Sequence, residues 1–386
     1  MPEEQIQIMI VAGEASGDAH AARLVHAIND LRPEQKVVFF GSAGPQMRRA
    51  GVEPTVGADA FSVIGLPEIA KALPMFWNAF TKLKAAARTR RPSVAVLVDF
   101  PEFNLRLAKA LSKEGIKVVY YISPQLWAWR QYRISTISRY VDLLISILPF
   151  EKAWYAERGV HKVEYVGNPL TAEVSAEKSP KEFCAVNDLD PGRPLIALLP
   201  GSRHKEVAKI LPEMLAAAVQ IEAERPDAQF AVAAATEKRS DEIRQLIGEA
   251  KEKPATLKVV LDQTYDLLNA SDVAAVASGT ATLETGIIGT PMAIVYKGTK
   301  LNYKILRPLI TVEHFGLVNL IAEYRLAKEL IQDDLTPAAL AAEMLRLLEG
   351  QVNAEMRREL KLVRDKLGSG GASQKAAELV LKIAES

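Results

Sequence analysis

The sequence is short of cysteine, of long apolar runs and of net charge, and each shortage excludes a class of protein. Cys184 is the single cysteine among 386 residues, which excludes an intrachain disulfide and a thiolate metal cluster. No run of about 18 apolar residues is present, which excludes a transmembrane helix. The formal net charge is +1, so the chain lacks the positive field of a general nucleic-acid binder. Residues 1–5 lack the basic and apolar regions of a signal peptide, and we therefore expect a cytoplasmic protein.

The sequence also lacks the patterns that hold metals and dinucleotides. The five histidines show no spacing suited to a metal site, and the first strand is not followed by a Gly-x-Gly-x-x-Gly run. Asp188-Leu189-Asp190 formally matches a metal-binding Asp-x-Asp motif, but Pro191-Gly192 follow it, which is typical of a surface turn. We therefore predict neither a metal nor a cofactor.

Apolar runs of strand length alternate with helical patterns along the chain, which predicts parallel sheets joined by crossover helices. The predicted strands are Ile6–Ala12, Val37–Phe40, Val94–Val98, Val118–Ile122, Leu143–Leu148, Leu195–Leu199, Gln229–Ala233, Leu257–Leu261, Val273–Ala277 and Met292–Tyr296. A polar stretch with three prolines follows Asn168 and Pro169, as in a linker. The predicted fold class is α/β, with two Rossmann-like doubly wound domains, 1–168 and 169–367, facing across a cleft. Residues 368–386 are predicted to be a glycine hinge and a C-terminal helix that can cross back to the first domain.

The most informative motif is a strand that opens into a helix through a Gly-Ser turn. The apolar run Leu195–Leu199 leads through Gly201 and Ser202 to Arg203. Gly201 lets the backbone approach a ligand, Ser202 can cap the helix, and the free N–H groups at a helix start bind anions. The planar guanidinium of Arg203 suits a phosphate group.

A second turn of the same kind follows the apolar run Val273–Ala277. Ser278, Gly279 and Thr280 open a helix, and the carboxylate of Glu284 lies one turn inside it. Because parallel sheets bind ligands at the carboxyl ends of their strands, the two turns predict a pocket for a nucleotide diphosphate and its ribose. Two ordinary strand-to-helix turns are the alternative.

The first predicted strand ends in the polar turn Gly13-Glu14-Ala15-Ser16-Gly17-Asp18. Its two glycines leave room for a substrate beside the backbone. The side chains of Glu14, Ser16 and Asp18 suit the hydroxyl and amide groups of a sugar. A capped helix start is the alternative interpretation.

Asp99 directly follows the apolar run Val94–Val98 and stands two residues before Pro101, which can open a helix. A carboxylate at a strand end beside a cleft suits a general base, because partial burial adjusts its pKa. The alternative role for Asp99 is the N-cap of the following helix. Glu102 is the second candidate for the base.

The loop from Ser123 to Arg133 combines aromatic and cationic side chains. Gln125, Trp127 and Arg130 suit a sugar phosphate, with an apolar wall and a cationic end. Arg130 and Arg133 are three residues apart and therefore share a helical face. Core tryptophans and solvated arginines are the alternative.

Residues 67–91 have the amphipathic composition of an interfacial helix on an anionic membrane. Six basic residues stand here against the single acid Glu68. A crossover helix whose apolar stripe packs on the sheet is the alternative. The candidate membrane contacts are Met75, Phe76, Trp77, Phe80, Lys82 and Lys84.

Taken together, these motifs resemble the lipid-A-disaccharide synthase family of GT-B glycosyltransferases. The resemblance rests on Gly13–Asp18, Ser123–Arg130, Leu199–Arg203 and Ser278–Ala281, and it runs from Val11 to about Leu330. It implies an inverting transfer from UDP-2,3-diacylglucosamine to 2,3-diacylglucosamine 1-phosphate, giving a β-1,6-linked disaccharide and UDP. Another UDP-sugar enzyme, such as an N-acetylglucosamine 2-epimerase or a muramyl-lipid transferase, is the nearest rival. A non-catalytic sensor of UDP-sugars is the other.

The resemblance also implies roles for four residues. Asp99 is the expected base, Arg203 contacts the nucleotide diphosphate, Glu284 lies near the ribose and Asn319 lies in the cleft. The family is peripheral to the cytoplasmic face of the inner membrane, so an anionic membrane surface is an expected partner. Nucleic acid is not an expected partner, and a homodimer is left open.

Overall fold

The structure is a computed structural model that describes residues 5–58, 69–298 and 314–386, without the side chains of residues 69–72. These residues form two compact units. The first consists of the described residues within Met1–Pro169 and Ser369–Ser386, and the second of those within Leu170–Gly368.

The first unit is built on a parallel sheet of seven strands in the order β3-β2-β1-β4-β5-β6-β7. Its strands are β1 Ile6–Val11, β2 Val37–Ala43, β3 Glu53–Gly57, β4 Val94–Val98, β5 Val118–Tyr121, β6 Leu143–Ser146 and β7 Val163–Tyr165. β1 pairs with β2 on one side and with β4 on the other, so the strand order reverses between β1 and β4. A ligand is expected at the carboxyl ends of these two strands.

Helices cover both faces of this sheet, as a fully apolar parallel sheet requires. The helices of the first unit are α1 Ala15–Leu31, α2 Pro45–Arg49, α3 Ile69–Arg90, α4 Pro101–Lys113, α5 Ile134–Tyr140 and α6 Glu151–Ala156, together with the C-terminal Ala372–Ala384. Successive side chains of β1 serve opposite faces: Ile8 and Ile10 pack with α1 and the C-terminal helix, and Met9 packs with α3 and α4.

The second unit repeats the plan with a parallel sheet of six strands in the order β10-β9-β8-β11-β12-β13. Its strands are β8 Leu195–Leu199, β9 Gln229–Ala234, β10 Leu257–Leu261, β11 Val273–Ala277, β12 Met292–Tyr296 and β13 Glu329–Ile331. Its helices are α7 Leu170–Glu173, α8 Pro180–Val186, α9 His204–Glu224, α10 Glu237–Glu249, α11 Thr264–Ala270, α12 Thr280–Ile288, α13 Leu317–Ala322, α14 Pro337–Leu348 and α15 Gly350–Lys366. The order reverses between β8 and β11, the strands that precede the two Gly-Ser-type turns.

The predicted α/β class and the predicted strands are confirmed, with ends that differ by a few residues. The prediction missed the three short strands β3, β7 and β13, which all lie at sheet edges. An edge strand is half solvated and need not be a continuous apolar run, and the residues of Glu53–Gly57 are exposed or half-buried.

The amphipathic segment is the single helix α3, and Pro74 falls near its start. Residues 67 and 68 of the predicted segment and the side chain of Lys71 lie outside the described residues. Among the helices of the described ranges, none has both the length and the apolar character needed to cross a bilayer.

The C-terminal helix, called α16 from here, packs on α1. Its apolar residues Ala376, Ala377 and Val380 are fully buried in the same core as Leu24 and Ile28 of α1. Arg32 donates a 2.7 Å hydrogen bond to Glu385, so the two helix ends are also joined by an ion pair.

Candidate functional site

The two turns of the second unit line one pocket of about 380 Å³. They meet there because β8 and β11 are neighbours whose carboxyl ends lie at the same sheet edge. Seven residues predicted for the nucleotide lie on its wall: Gly201, Ser202, Arg203, Ser278, Gly279, Thr280 and Glu284.

Arg203 projects into solvent at the mouth of its turn, with 83% of its side chain exposed. Its guanidinium lies 3.1 Å from Oε1 of Glu206, and its backbone N–H donates to Oε2 of the same carboxylate. Gly201 has a φ of +106°, and a Cβ there would approach Oε2 of Glu206 to 2.7 Å. The Glu206 carboxylate therefore occupies the space over the turn in which an anion would lie. The sequence prediction missed Glu206.

Glu284 lies between this pocket and a second one of about 490 Å³. Burial raises the pKa of Glu284; the nearby charge of Glu173 adds to the rise, and a hydrogen bond from the Tyr265 hydroxyl opposes it. Ala235 and Thr264 also line both pockets. The two spaces are thus contiguous around one carboxyl group.

Asp99 in the first unit lies at the reversal point between β1 and β4 and has a left-handed backbone, with a φ of +47°. Its carbonyl oxygen accepts a 2.8 Å hydrogen bond from Asn104 Nδ2 and a 2.7 Å bond from the Tyr120 hydroxyl. Phe100 follows with a φ of +52°. Strained backbone held by specific hydrogen bonds is typical of functional sites.

The Asp99 carboxyl titrates in an unusual range. Burial raises the pKa of Asp99 to about 6; the negative charge of Glu14 adds to the rise, and the backbone N–H of Phe100 opposes it. The side chain of Glu14 is exposed and makes no cap hydrogen bond at the start of α1. Asp99 is therefore close to the protonation balance that a general base needs near neutral pH.

Glu102 joins the loop after β5 to the start of α4. Its carboxylate accepts hydrogen bonds from Arg130 and, at 2.6 Å, from Nη2 of Arg133. Although partial burial opposes the change, these partners and the charge of Arg106 lower the pKa of Glu102. A carboxylate held in this way is a poor proton acceptor, which makes Glu102 the weaker candidate for the base.

A buried polar cluster supports the same loop from below. Trp127 donates its indole N–H to Glu151, and Ser123 Oγ lies 3.1 Å from the hydroxyl of Tyr155. The sequence prediction missed Glu151 and Tyr155. Nothing in the sequence shows that these residues lie beneath residues 123–130.

Several residues that the sequence predicts as substrate contacts serve the fold in the structure. Asp18 is 2% exposed, and its two oxygens accept backbone N–H groups of Gly44, Gln46 and Met47 at the start of α2. Gly17 is buried against β4, where a Cβ would meet the Val98 carbonyl at 3.7 Å. The space beside Gly13 is filled by the ring of Phe100, and Gly17 is packed against the sheet, so the structure shows no open space beside either glycine.

Trp127 and Asn319 are also structural. Trp127 is 6% exposed with its N–H bonded to Glu151. Asn319 is fully buried, and its side chain bonds to the backbone of Ala327 and to Glu329. Of the other predicted contacts in the first unit, Ser16 and Gln125 are exposed, and Arg130 is half-buried against Glu102.

The helix α3 divides its apolar side chains between the core and solvent. Met75, Phe76 and Phe80 pack against the core, with the rings of Phe76 and Phe80 6.3 and 6.1 Å from Phe103. These three predicted membrane contacts are half-buried, so only part of each side chain is open to solvent. Trp77 is 70% exposed and Leu73 is 59% exposed.

The basic residues of α3 divide in the same way. Lys84 lies 3.4 Å from Glu114, a carboxylate that it shares with Arg88. The side chain of Lys82, five residues after Trp77, is exposed. Of the predicted membrane contacts, Trp77 and Lys82 are exposed, and the structure adds the exposed Leu73 to them.

Comparison with known proteins gives a consistent family. The lipid-A-disaccharide synthetase family matches residues 8–383. The chain is 42% identical over 380 residues to the lipid-A-disaccharide synthase of Nitrosococcus oceani, covering 98% of this chain and 96% of that protein. It is 40% identical over 378 residues to the corresponding synthase of Geobacter sulfurreducens, covering 98% and 97%.

Solved structures share the fold at low sequence identity. A UDP-N-acetylglucosamine 2-epimerase homologue from Listeria monocytogenes superimposes with a TM-score of 0.65 at 15% identity, covering 99% of this chain and 97% of that one. MurG of Acinetobacter baumannii gives a TM-score of 0.58 at 15% identity, covering 98% and 100%. These likenesses extend over both units and confirm the GT-B class.

Proposed function

This chain belongs to the lipid-A-disaccharide synthetase family, and on that premise we propose how its residues divide the reaction. The enzyme is a glycosyltransferase of lipid A biosynthesis that uses a UDP-sugar donor and a glucosamine acceptor. The donor is UDP-2,3-diacylglucosamine, and the acceptor is 2,3-diacylglucosamine 1-phosphate. The products are UDP and a β-1,6-linked disaccharide 1-phosphate.

The second unit binds the donor nucleotide. The observation that carries this assignment is that the two turns at the β8–β11 reversal share one pocket with Arg203 and Glu284. The diphosphate lies against the N–H groups that begin α9 and α12, with Arg203 as its cation. Glu284 accepts hydrogen bonds from the ribose hydroxyls, and the contiguous 490 Å³ pocket receives the uracil ring of UDP.

Asp99 is the base that activates the acceptor. Inversion from an α-linked donor to a β-linked product requires a single displacement. The acceptor O6 forms a bond to the anomeric carbon as the bond from that carbon to the UDP oxygen breaks. Asp99 takes the O6 proton, and its pKa of about 6 leaves it mostly ionised at neutral pH.

The leaving UDP gains negative charge during this step. Arg203 and the helix N–H groups stabilise that charge, and Glu206 moves from the turn as the diphosphate enters. These interactions are stronger with the departing UDP than with the bound donor, so they lower the barrier.

Membrane association places the enzyme near its diacylated substrates. Trp77 and Leu73 supply exposed apolar area on α3, and Lys82 supplies positive charge for an anionic surface. We assign the enzyme to the cytoplasmic face of the inner membrane, which is where a cytoplasmic UDP donor meets a lipid acceptor.

The test is turnover by the purified protein in detergent micelles with EDTA present. UDP release and disaccharide formation are followed by mass spectrometry, with Asp99→Asn as the matched variant. Disaccharide from the wild type and its loss in the variant support the proposal. Binding of UDP without any product would point instead to a UDP-sugar sensor.

Light scattering on the same preparation decides between a monomer and a homodimer.

A further inference from the structure

Three arginines converge on a single carboxylate beside Asp99. Glu102 lies in the first turn of α4 with 54% of its side chain exposed, and it bonds to Arg130 and Arg133. Arg106 lies one turn further along α4 and is close enough to act on Glu102 electrostatically. Three positive charges against one negative charge leave the cluster with an excess of about +2.

Two of these arginines are held in place, and one of them has a strained backbone. Arg130 has a left-handed backbone, with a φ of +56°, and its guanidinium lies 4.1 Å from the centroid of the Trp129 ring. The Arg133 side chain is 15% exposed. A surface ion pair alone gains little stability and does not require such strain. Fixed guanidinium groups with spare donors are instead typical of sites that bind phosphate.

The arginine cluster lies beside the proposed base. Asp99 and Glu102 flank the same strand-to-helix turn, and the buried hydroxyl of Tyr120 bonds to the Asp99 carbonyl. Burial and the charges of Asp99, Arg133 and Glu102 all act on the pKa of that hydroxyl, so these charged groups surround it. In the acceptor, C1 carries the phosphate and C5 carries the C6 hydroxymethyl group, and both carbons flank the ring oxygen, so the reacting O6 and the phosphate are held within the span of one pyranose ring.

We propose that Arg106, Arg130 and Arg133 bind the phosphate monoester on C1 of the acceptor, and that Glu102 holds the arginines until this phosphate displaces it. A phosphate monoester carries a charge of about −1.5 to −2 near neutral pH, which matches the excess charge of the cluster. This assignment rests on the proposed function, because it takes the acceptor to be a sugar 1-phosphate. It gives the enzyme a means of selecting that acceptor and of orienting O6 toward Asp99.

The experiment compares two acceptors that differ only in this group: 2,3-diacylglucosamine 1-phosphate and 2,3-diacylglucosamine. For each, we measure equilibrium binding by titration calorimetry in micelles, and turnover in parallel. Arg133→Gln and Arg130→Gln should weaken binding of the phosphorylated lipid by about 10- to 100-fold each, with little change for the other lipid. The donor KM should not change. Arg133→Lys should restore part of the loss.

Two further variants separate this assignment from a general charge effect. Glu102→Gln removes the competing carboxylate and should tighten binding of the phosphorylated lipid, the opposite direction from the arginine variants. Arg139→Gln makes the same charge change as Arg133→Gln at an exposed position on α5 and should leave the preference intact.

The binding measurement tests the phosphate assignment, and the turnover measurement tests the proposed transferase reaction, so the two can fail independently. If the arginine variants keep the full preference for the phosphorylated lipid, or if Glu102→Gln weakens it, the phosphate assignment is wrong, whatever the turnover. If the wild type prefers the phosphorylated lipid in an arginine-dependent manner but makes no disaccharide, the phosphate site stands and the proposed transferase reaction does not.

Discussion

The indole Nε1 of Trp127 donates a 3.0 Å hydrogen bond to Oε1 of Glu151, and the two residues are 6% and 1% exposed. The second oxygen of Glu151, Oε2, has no hydrogen-bond partner among the described residues. Burial raises the pKa of Glu151 to about 8, against the effect of the bond from Trp127. A carboxyl group that is mostly protonated at neutral pH therefore anchors the loop that presents Arg130.

Glu151→Gln should stabilise the protein increasingly as the pH rises. The pKa of an ordinary glutamate is 4.5, and burial raises the pKa of Glu151 to about 8 in the folded protein. Between these values the folded protein holds more protons than the unfolded chain, so the free energy of unfolding falls with rising pH, by up to about 1.4 kcal/mol per pH unit. Glutamine keeps an acceptor for Trp127 and does not titrate. Urea unfolding of both proteins at pH 5, 6.5 and 8 measures the difference, with the exposed Glu157→Gln as control. If the difference in the free energy of unfolding between the wild type and Glu151→Gln does not depend on pH, Glu151 is not a buried neutral carboxyl group.

Asp99→Asn should lower kcat by about 10²- to 10⁴-fold without changing the affinity for UDP, because it removes only the proton acceptor. In the wild type, kcat/KM should rise with pH to a plateau above about 6, since burial and the charge of Glu14 raise the pKa of Asp99 to that value. Glu14→Gln removes the repelling charge and should move the rise to lower pH. Glu34→Gln, just past the other end of α1, makes the same change at an exposed site and should leave the profile in place. If the pH profile of kcat/KM is unchanged in Glu14→Gln, the charge of Glu14 does not raise the pKa of Asp99.

Gly201→Ala should weaken UDP binding by about tenfold or more. A Cβ at this position would project into the space over the turn, where Oε2 of Glu206 now lies 2.7 Å away and where the diphosphate would lie once Glu206 has moved, and the backbone has a φ of +106°. Gly51 also has a positive φ, of +97°, but it has open space around it. Gly51→Ala therefore carries only the cost of the left-handed backbone, which is about 1–2 kcal/mol. Calorimetric titration with UDP and urea unfolding of both variants separate the two effects. Equal losses of UDP affinity in the two variants would show that a Cβ at Gly201 does not obstruct the diphosphate.

Leu73→Ser combined with Trp77→Ser should reduce binding to vesicles rich in phosphatidylglycerol by roughly tenfold or more, because two exposed apolar side chains are lost. Leu362→Ser is the matched control, since Leu362 is 55% exposed on α15 of the second unit. Sedimentation with vesicles measures the bound fraction. A loss of similar size in the control would mean that general surface apolarity, rather than α3, drives the association.

The sequence predicted the strands because a strand buried on both faces must be a continuous apolar run, as in Val94–Val98 and Leu195–Leu199. The residues at the ends of those strands could be predicted to lie near one another, because the carboxyl ends of neighbouring parallel strands meet at one sheet edge. The roles of single polar side chains were harder to predict. Asp18 bonds to N–H groups that are 26 to 29 residues away, and Asn319 to Ala327 and Glu329. A polar residue at a strand end has the same local sequence whether its partner is a ligand or a distant backbone group.

Aromatic residues showed the same ambiguity. Trp127 and Trp129 stand two residues apart in one loop, yet Trp127 is 6% exposed and Trp129 is 38% exposed. Phe100 fills the space at Gly13, a contact between residues 87 positions apart in the sequence that no local pattern records.

The return of α16 to the first unit has a consequence for how the chain is made. Ribosomal synthesis proceeds from Ile6 toward Leu381, so the sheet of the first unit emerges from the ribosome before α16 has been synthesised. Until α16 is synthesised, the apolar side of α1 that includes Leu24 and Ile28 lacks its covering helix. The second unit, Leu170–Gly368, is one unbroken stretch of sequence and emerges complete before that covering does. The first unit is therefore translated first but can complete its folding only last, when α16 has been synthesised. A nascent chain that is halted before α16 exposes apolar surface and is a natural substrate for chaperones.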